Sequence, residues 1–269
     1  NMLMEECGYP KLPKASYEKR LIEYEDVFPM LYLKYRLKGT KAHKHIKHLV
    51  IDEMQDYSYL QYVILQNLFS CRMTILGDRA QTLDEKPHDV LAFLPRIFGK
   101  GIRKIVMDKS YRNTVEIADY AARISGIEGT ELLNRHGKPV EEQTFSKAEE
   151  MLDAICENLN LGENEENSAN AARSSEGYET AAVLTMTEGE AIAIYRLLKN
   201  RGIEASYVDR DSSLFKKGLT VTTFYLAKGL EFDQVFEIQG DKENPLLGQA
   251  AYICATRALH ELYVYCLEG

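Results

Sequence analysis

Two apolar rhythms alternate along the chain. LVI (Leu49 to Ile51) and MTIL (Met73 to Leu76) are short unbroken apolar runs, and YLQYVILQNLF between them spaces its apolar residues at helical intervals. Strand, helix, strand is the unit of a parallel α/β sheet. A longer series follows: IRKIVM (102–107) as a strand, a helix over Thr114 to Ile124, a helix over Lys147 to Leu159, and AAVLTM (181–186) as a strand. Then come a helix over Glu188 to Asn200, the strands SYV, LTVTTF and QVFEI, a helix over Leu246 to Leu259, and the strand ELYVYC. Upstream, residues 16–38 place Leu21, Tyr24, Phe28, Leu31, Tyr32 and Tyr35 at helical spacing, with Pro29 in their midst. This predicts two short helices or one that kinks at the proline.

The glycine-punctuated FGKGIRK (Phe98 to Lys104) is the natural boundary between the two series. It gives a first part over 1–100 and a second over 101–269. LGENEENSANAARSSEGY (161–178) carries almost no large apolar side chain, so burial cannot offset the entropy of ordering it, and it is expected as a flexible surface loop. KAHKHIKH (Lys41 to His48) reads as a solvated approach to the first strand. The net charge of -8 argues against a wholly basic nucleic-acid wrapper and leaves room for a local groove. Cys7, Cys71, Cys156, Cys254 and Cys266 show neither CxxC pairs nor zinc spacing, and suggest buried thiols of a reducing cytoplasm. No apolar run approaches the roughly 20 residues that span a bilayer, and the start lacks the order of a signal peptide, so no membrane association is expected.

Five stretches carry chemistry. In LVIDEMQD a strand delivers Asp52 and Glu53 at its carboxyl end, where parallel sheets bind ligands; one acid can hold Mg²⁺ through water while the other activates a water. TILGDRAQTL sets Gln81 just past a second strand end, in reach of a phosphate oxygen or of a plain turn's backbone. KSYRNT carries Arg112, suited to a phosphate or to a surface ion pair, and Tyr111, suited to stacking on a base. TTFYLAKGLEFDQVF interrupts strand-like sequence with Lys228, Glu231 and Asp233 around Gly229, where close backbone approach is expected. ATRALHELYVY ends a helix with Arg257, a second candidate phosphate ligand or an ordinary helix-surface arginine.

Taken in order, DEMQD, GDRAQTL, KSYRNT, TTFYLAKGLEFD and ATRAL resemble motifs II to VI of UvrD/Rep-type superfamily 1 helicases, over residues 48–265. The resemblance implies an α/β fold of RecA-like parallel sheets flanked by helices: the end of a first lobe and a complete second lobe, with ATP clamped between lobes and single-stranded or duplex DNA as partner. It implies Asp52 as the Mg²⁺ ligand, Glu53 as the base and Gln81 on the γ-phosphate. It further implies Arg112 and Arg257 as arginine fingers, Tyr111 on adenine, and Glu231 beside Gly229 at the ribose or phosphate end, with Gln55 and Asp56 coupling nucleotide to lobe movement.

Where most of that family has His-Ser ahead of AKGLEF, this chain has Tyr225 and Leu226, and the long insertion usual before that motif is missing. Together with YEDVFPMLYLKYRL and ATRALHEL, this resembles the HelD branch, helicase-IV-like proteins associated with bacterial RNA polymerase. The branch implies ATP hydrolysis linked to release of polymerase from nucleic acid. The chain has no G-x-x-x-x-G-K-[ST]: the Gly-Lys pairs at Gly99 and Gly137 are followed by Gly101 and Pro139. ATP thereby lacks its main anchor. The expectation is a carboxyl-terminal portion of a longer motor, inactive by itself. The alternative is a RecA-like module without catalysis that binds a protein partner.

Overall fold

The computed structural model describes residues 22–39, 42–82, 89–107, 109–126, 131–132, 134–159, 178–212, 217–240 and 244–267. The expected loop at 161–178 falls outside these except for Tyr178, and so does the start of the first helix, 16–21. The chain divides into two units: Asn1–Arg79 with His88–Lys104, and Ala80–Pro87 with Ile105–Gly269. Gln81, which the boundary at residue 100 would assign to the first part, therefore groups with the second unit.

In the first unit, helix α1 (Tyr24–Lys38) runs as one helix through Pro29. Two parallel strands follow, β1 (His48–Ile51) and β2 (Arg72–Ile75), in register from His48 opposite Arg72 to Ile51 opposite Ile75. The connecting helix α2 (Tyr59–Leu68) starts at a capping box: the Ser58 hydroxyl accepts from the Gln61 amide, and the Gln61 side chain accepts from the Ser58 amide. A helix that the sequence reading lacked, α3 (Val90–Phe98), supplies Val90, Leu94 and Ile97 to a core with Ile51 and Tyr62.

The second unit opens with a short parallel pair, β3 (Lys109–Ser110) and β4 (Glu131–Leu132), and helix α4 (Val115–Ser125) lies between them in sequence. Its main sheet takes β5 (Glu141–Phe145), β6 (Thr180–Thr185), β7 (Ala205–Tyr207), β8 (Gly218–Thr223), β9 (Phe232–Gln239) and β10 (Ala258–Leu267) in the order β5-β10-β9-β6-β8-β7. Every pairing is parallel. Helices α5 (Ala148–Asn158), α6 (Glu188–Asn200) and α7 (Leu247–Arg257) complete the unit.

Alternation in β6 explains the layering. Ala182 and Leu184 join Ile117 and Tyr120 of α4 and Ile253 and Cys254 of α7 on one face. Ala181 and Val183 join Leu152 and Ile155 of α5 and Ile194 and Leu198 of α6 on the other. A parallel sheet covered by helices on both faces reads as near-continuous apolar strands, which is why AAVLTM and QVFEI were legible. The expected α/β class, parallel sheets flanked by helices, is the one the chain adopts.

Two expectations are corrected, and one strand was unforeseen. IRKIVM is not a strand: residues 102–107 have no regular structure, and Ile105, Val106 and Met107 are 70%, 70% and 88% exposed. Apolar β-branched sequence makes a strand only when a neighbour pairs with it. β5, EEQTF, was missed because it is a polar edge strand, held by β10 from Tyr263 opposite Glu141 to Leu267 opposite Phe145. The last helix stops at Arg257, and β10 begins at the next residue with no loop.

Among the described residues no helix is long and apolar enough to cross a membrane. The cysteines there are free thiols, with Cys254 and Cys266 buried but Cys71 and Cys156 only partly so.

Candidate functional site

The first unit carries the acidic loop, built where β1 runs out. Asp52 is exposed and its Oδ1 accepts the Glu53 amide at 2.8 Å. Glu53 then turns into the left-handed region, φ 54° and ψ 48°, the one non-glycine residue with positive φ among the described residues. For a residue with a Cβ that conformation costs about 1 kcal/mol, so the surrounding bonds must hold it. They do so from three directions. The Met54 amide donates to the Leu76 carbonyl at 2.8 Å, and the Tyr62 hydroxyl donates to the Met54 carbonyl at 3.0 Å. Gln55, 4% exposed, donates through Nε2 to Glu53 Oε2 at 2.6 Å and accepts the Asp78 amide at Oε1 at 3.1 Å.

Gln55 is thus a bridge between the Glu53 carboxylate and the loop that follows β2. Gly77 makes room for it: a Cβ there would stand 2.5 Å from Gln55 Oε1 and 2.6 Å from the Met54 amide nitrogen. Asp56 ends the short 3-10 turn Met54–Asp56 and is exposed. Among the described residues no cluster of three or more metal-binding side chains forms. A single exposed carboxylate at Asp52 suits a hard cation that keeps most of its waters and takes its remaining oxygens from phosphates, which is the habit of Mg²⁺.

The second unit brings four distant stretches together at the amino-terminal edge of its sheet. Arg257, at the junction of α7 and β10, is only 3% exposed. Its guanidinium donates to Gln81 Oε1 at 3.0 Å, to the Leu230 carbonyl at 3.2 Å and to the Thr256 hydroxyl at 3.1 Å. Five rigid N–H donors allow a buried arginine to be satisfied this way. Lys228 donates from Nζ to the Gln81 carbonyl at 2.7 Å, so Gln81 is gripped through both backbone and side chain. Next to Leu230, Glu231 pairs with Arg112 at 2.8 Å; both are a little over 40% exposed, and such a pair contributes at most about 1 kcal/mol to stability. Tyr111 is 65% exposed, with its ring available to a partner.

The structure therefore joins Gln81, Arg257 and Lys228 in one set of bonds and Arg112 with Glu231 beside it, while Asp52, Glu53 and Gln55 form a set in the first unit. Two residues stand differently from expectation. Gly229 is required for its backbone turn, φ 86°, and a Cβ there would meet nothing within 4 Å, so close approach is not its reason. Asp233 serves the fold: its Oδ2 accepts from the amides of Glu179 and Thr180 and from the Thr180 hydroxyl, each at 2.9 Å. Asn113 and Arg135 were not singled out by the sequence, yet both bond to backbone around the two arginines. Proximity to Arg112 in KSYRNT is the only signal that pointed to Asn113, and none pointed to Arg135.

No protein-family model and no curated protein matches the sequence. Among solved structures, the chain is similar to the C-terminal domain of a possible DNA helicase from Lactobacillus plantarum WCFS1, at 26% identity and a TM-score of 0.44, over 59% of this chain and 88% of that one. It is also similar to the PRRSV helicase, at 16% identity and a TM-score of 0.43, over 81% of this chain and 34% of that one. The helicase of an arterivirus, nonstructural protein 10, matches at 15% identity and a TM-score of 0.44, over 84% of this chain and 40% of that one. The chain thus spans well under half the length of the two viral helicases. With TM-scores below 0.5 these likenesses do not bear on what the chain does.

Proposed function

We propose that these residues belong to the ATP-driven motor of a superfamily 1 helicase or translocase of the HelD type, acting on nucleic acid or on RNA polymerase bound to it. The observation that carries the reading is the direct bonding of Gln81, Lys228, Leu230 and Arg257, with Glu231 and Arg112 alongside. Five motifs that could each be accidental in sequence meet as one polar cluster in the second unit and one acidic loop in the first. A glutamine gripped by a buried arginine and a lysine is a poor device for stability alone, because apolar packing would cost less.

In this reading Asp52 holds Mg²⁺ through water and Glu53 orients and deprotonates the attacking water. When held there by Asp52, Mg²⁺ would supply positive charge against that of the phosphates. Arg112 and Arg257 meet the charge that develops on the transferred phosphoryl group, and Gln81, held by Arg257, reports its presence to the surrounding loop. Tyr111 offers its exposed ring to the adenine. The 269 residues contain no glycine-rich phosphate loop, so the chain alone binds ATP weakly, and hydrolysis requires such a loop supplied from outside them. The second reading is a RecA-like module that binds a protein and hydrolyses nothing.

The two readings separate in a hydrolysis assay on the full-length protein with single-stranded DNA. The motor reading expects Glu53→Gln to lower kcat by about 100-fold or more, the range for loss of a general base. Hydrolysis at the wild-type rate in that variant would remove Glu53 from the mechanism. Co-purification with RNA polymerase without any ATP hydrolysis would favour the module.

A further inference from the structure

We infer that Asn113 and Arg135 form a brace that fixes the backbone beneath Arg112 and Arg257, so that the two arginines meet a phosphate as one unit. The inference rests on the nucleotide reading above. Asn113 directly follows Arg112, and its Nδ2 donates across more than a hundred residues of sequence to the Ala255 carbonyl at 3.1 Å and the Ala258 carbonyl at 2.6 Å. Those carbonyls lie on either side of Arg257. Ala255 O is in the last turn of α7, where it also accepts the Ala258 amide that caps the helix. Ala258 O opens β10, where the register with β9 shifts between Ala258 and Glu261.

Arg135 closes the brace from the other side. One guanidinium nitrogen, Nη2, donates both to the carbonyl of Arg112 itself and to the Leu259 carbonyl within the irregular start of β10. The Arg135 carbonyl in turn accepts the Val115 amide at 2.9 Å, which ties the segment to the first turn of α4. Two residues on, Gly137 threads a narrow gap: a Cβ there would stand 2.7 Å from Thr114 Cγ2 and 3.2 Å from the His260 carbonyl. Every backbone carbonyl used by the two side chains belongs to Arg112 or lies within two residues of Arg257. Where the helix passes into a strand without a loop, the brace adds side-chain donors to those carbonyls.

Asn113 and Arg135 are thus positioning residues, and neither need touch nucleotide. The test uses Asn113→Asp, which keeps the side chain's shape and replaces the donor by an acceptor, and Arg135→Ala. In the chain labelled with ¹⁵N, exchange of the Arg257 Nε–H is expected to quicken by about tenfold in either variant, as a local opening does. Global melting should move by far less than in Leu152→Ala, a substitution in the opposite core. In the full-length protein, Asn113→Asp is expected to lower kcat for ATP by about tenfold. It should add little further loss in an Arg112→Ala background, because coupled residues are not additive. Unchanged Arg257 exchange, or losses that multiply independently with Arg112→Ala, would overturn the brace while leaving the nucleotide reading intact. Hydrolysis unaffected by Arg112→Ala and Arg257→Ala would instead defeat the nucleotide reading, and the brace's purpose with it.

Discussion

Glu53 sits in a left-handed conformation that a glutamate adopts only under constraint, and the constraint can be traced atom by atom to Gln55, Tyr62 and Gly77. Gly77→Ala is therefore expected to destabilise the protein by about 1–3 kcal/mol, the range for forcing a group into a filled space. A denaturant melt of the variant measures it, and a loss within error would mean the loop gives way freely. A second residue carries a pH dependence. Glu237 in β9 is 1% exposed; Gln239 donates to its Oε1, and its Oε2 has no hydrogen-bond partner. Burial pushes its carboxyl up from 4.5 to about 7, with Glu142 adding to the effect and the Gln239 bond opposing it.

The raised value means the folded state prefers the protonated acid. The stability it confers is complete below about pH 4.5 and is lost as the pH rises from there through about 7. Tyr120, Cys254 and Glu142 are the titratable groups around it, and none supplies a countercharge. Melting temperature measured from pH 5 to pH 8 should fall more steeply for wild type than for Glu237→Gln, whose side chain stays neutral. Parallel curves would assign the pH dependence elsewhere.

At the scale of elements, helix boundaries follow local chemistry closely. Helix α6 begins at a capping box in which the Glu190 amide donates to the Thr187 hydroxyl at 3.2 Å and the Thr187 amide to Glu190 Oε2 at 2.9 Å. Thr187→Ala should cost about 1 kcal/mol and lower the melting temperature by about 2–4 °C, as calorimetry would show. The span Glu188 to Asn200 was readable because cap, periodicity and burial all agree there. The misreadings are equally physical. IRKIVM has strand composition but no pairing partner, whereas EEQTF has polar composition but the open edge of β10 to pair with. The α7 to β10 junction was blurred because ATRALHEL stays apolar through the change from helix to strand, and only tertiary donors such as Asn113 mark the turning point.

For the molecule as a whole, sequence order gave the candidate residues and structure gave their company. Arg257 could be read as an ordinary helix-surface arginine, yet it is buried and bound to Gln81, a residue 176 positions away. No periodicity could reveal that bond, since it depends on the segments that lead into the paired strands β9 and β10. Arg112 is the converse: its ion pair with Glu231 is the plain surface pair that such a residue usually makes, and its place beside the Arg257 cluster is what separates it from others.

The most direct test of the central claim is ATP hydrolysis by the full-length protein, with and without single-stranded DNA, in Arg257→Lys beside wild type. A lysine keeps the charge but presents a single nitrogen where Arg257 reaches Leu230 through Nη1 and Gln81 and Thr256 through Nη2. The account predicts hydrolysis stimulated by DNA in wild type and lowered by about 100-fold in the variant, assayed well below the melting temperature of both. Equal hydrolysis by the two, or none by wild type under any nucleic acid, would contradict it.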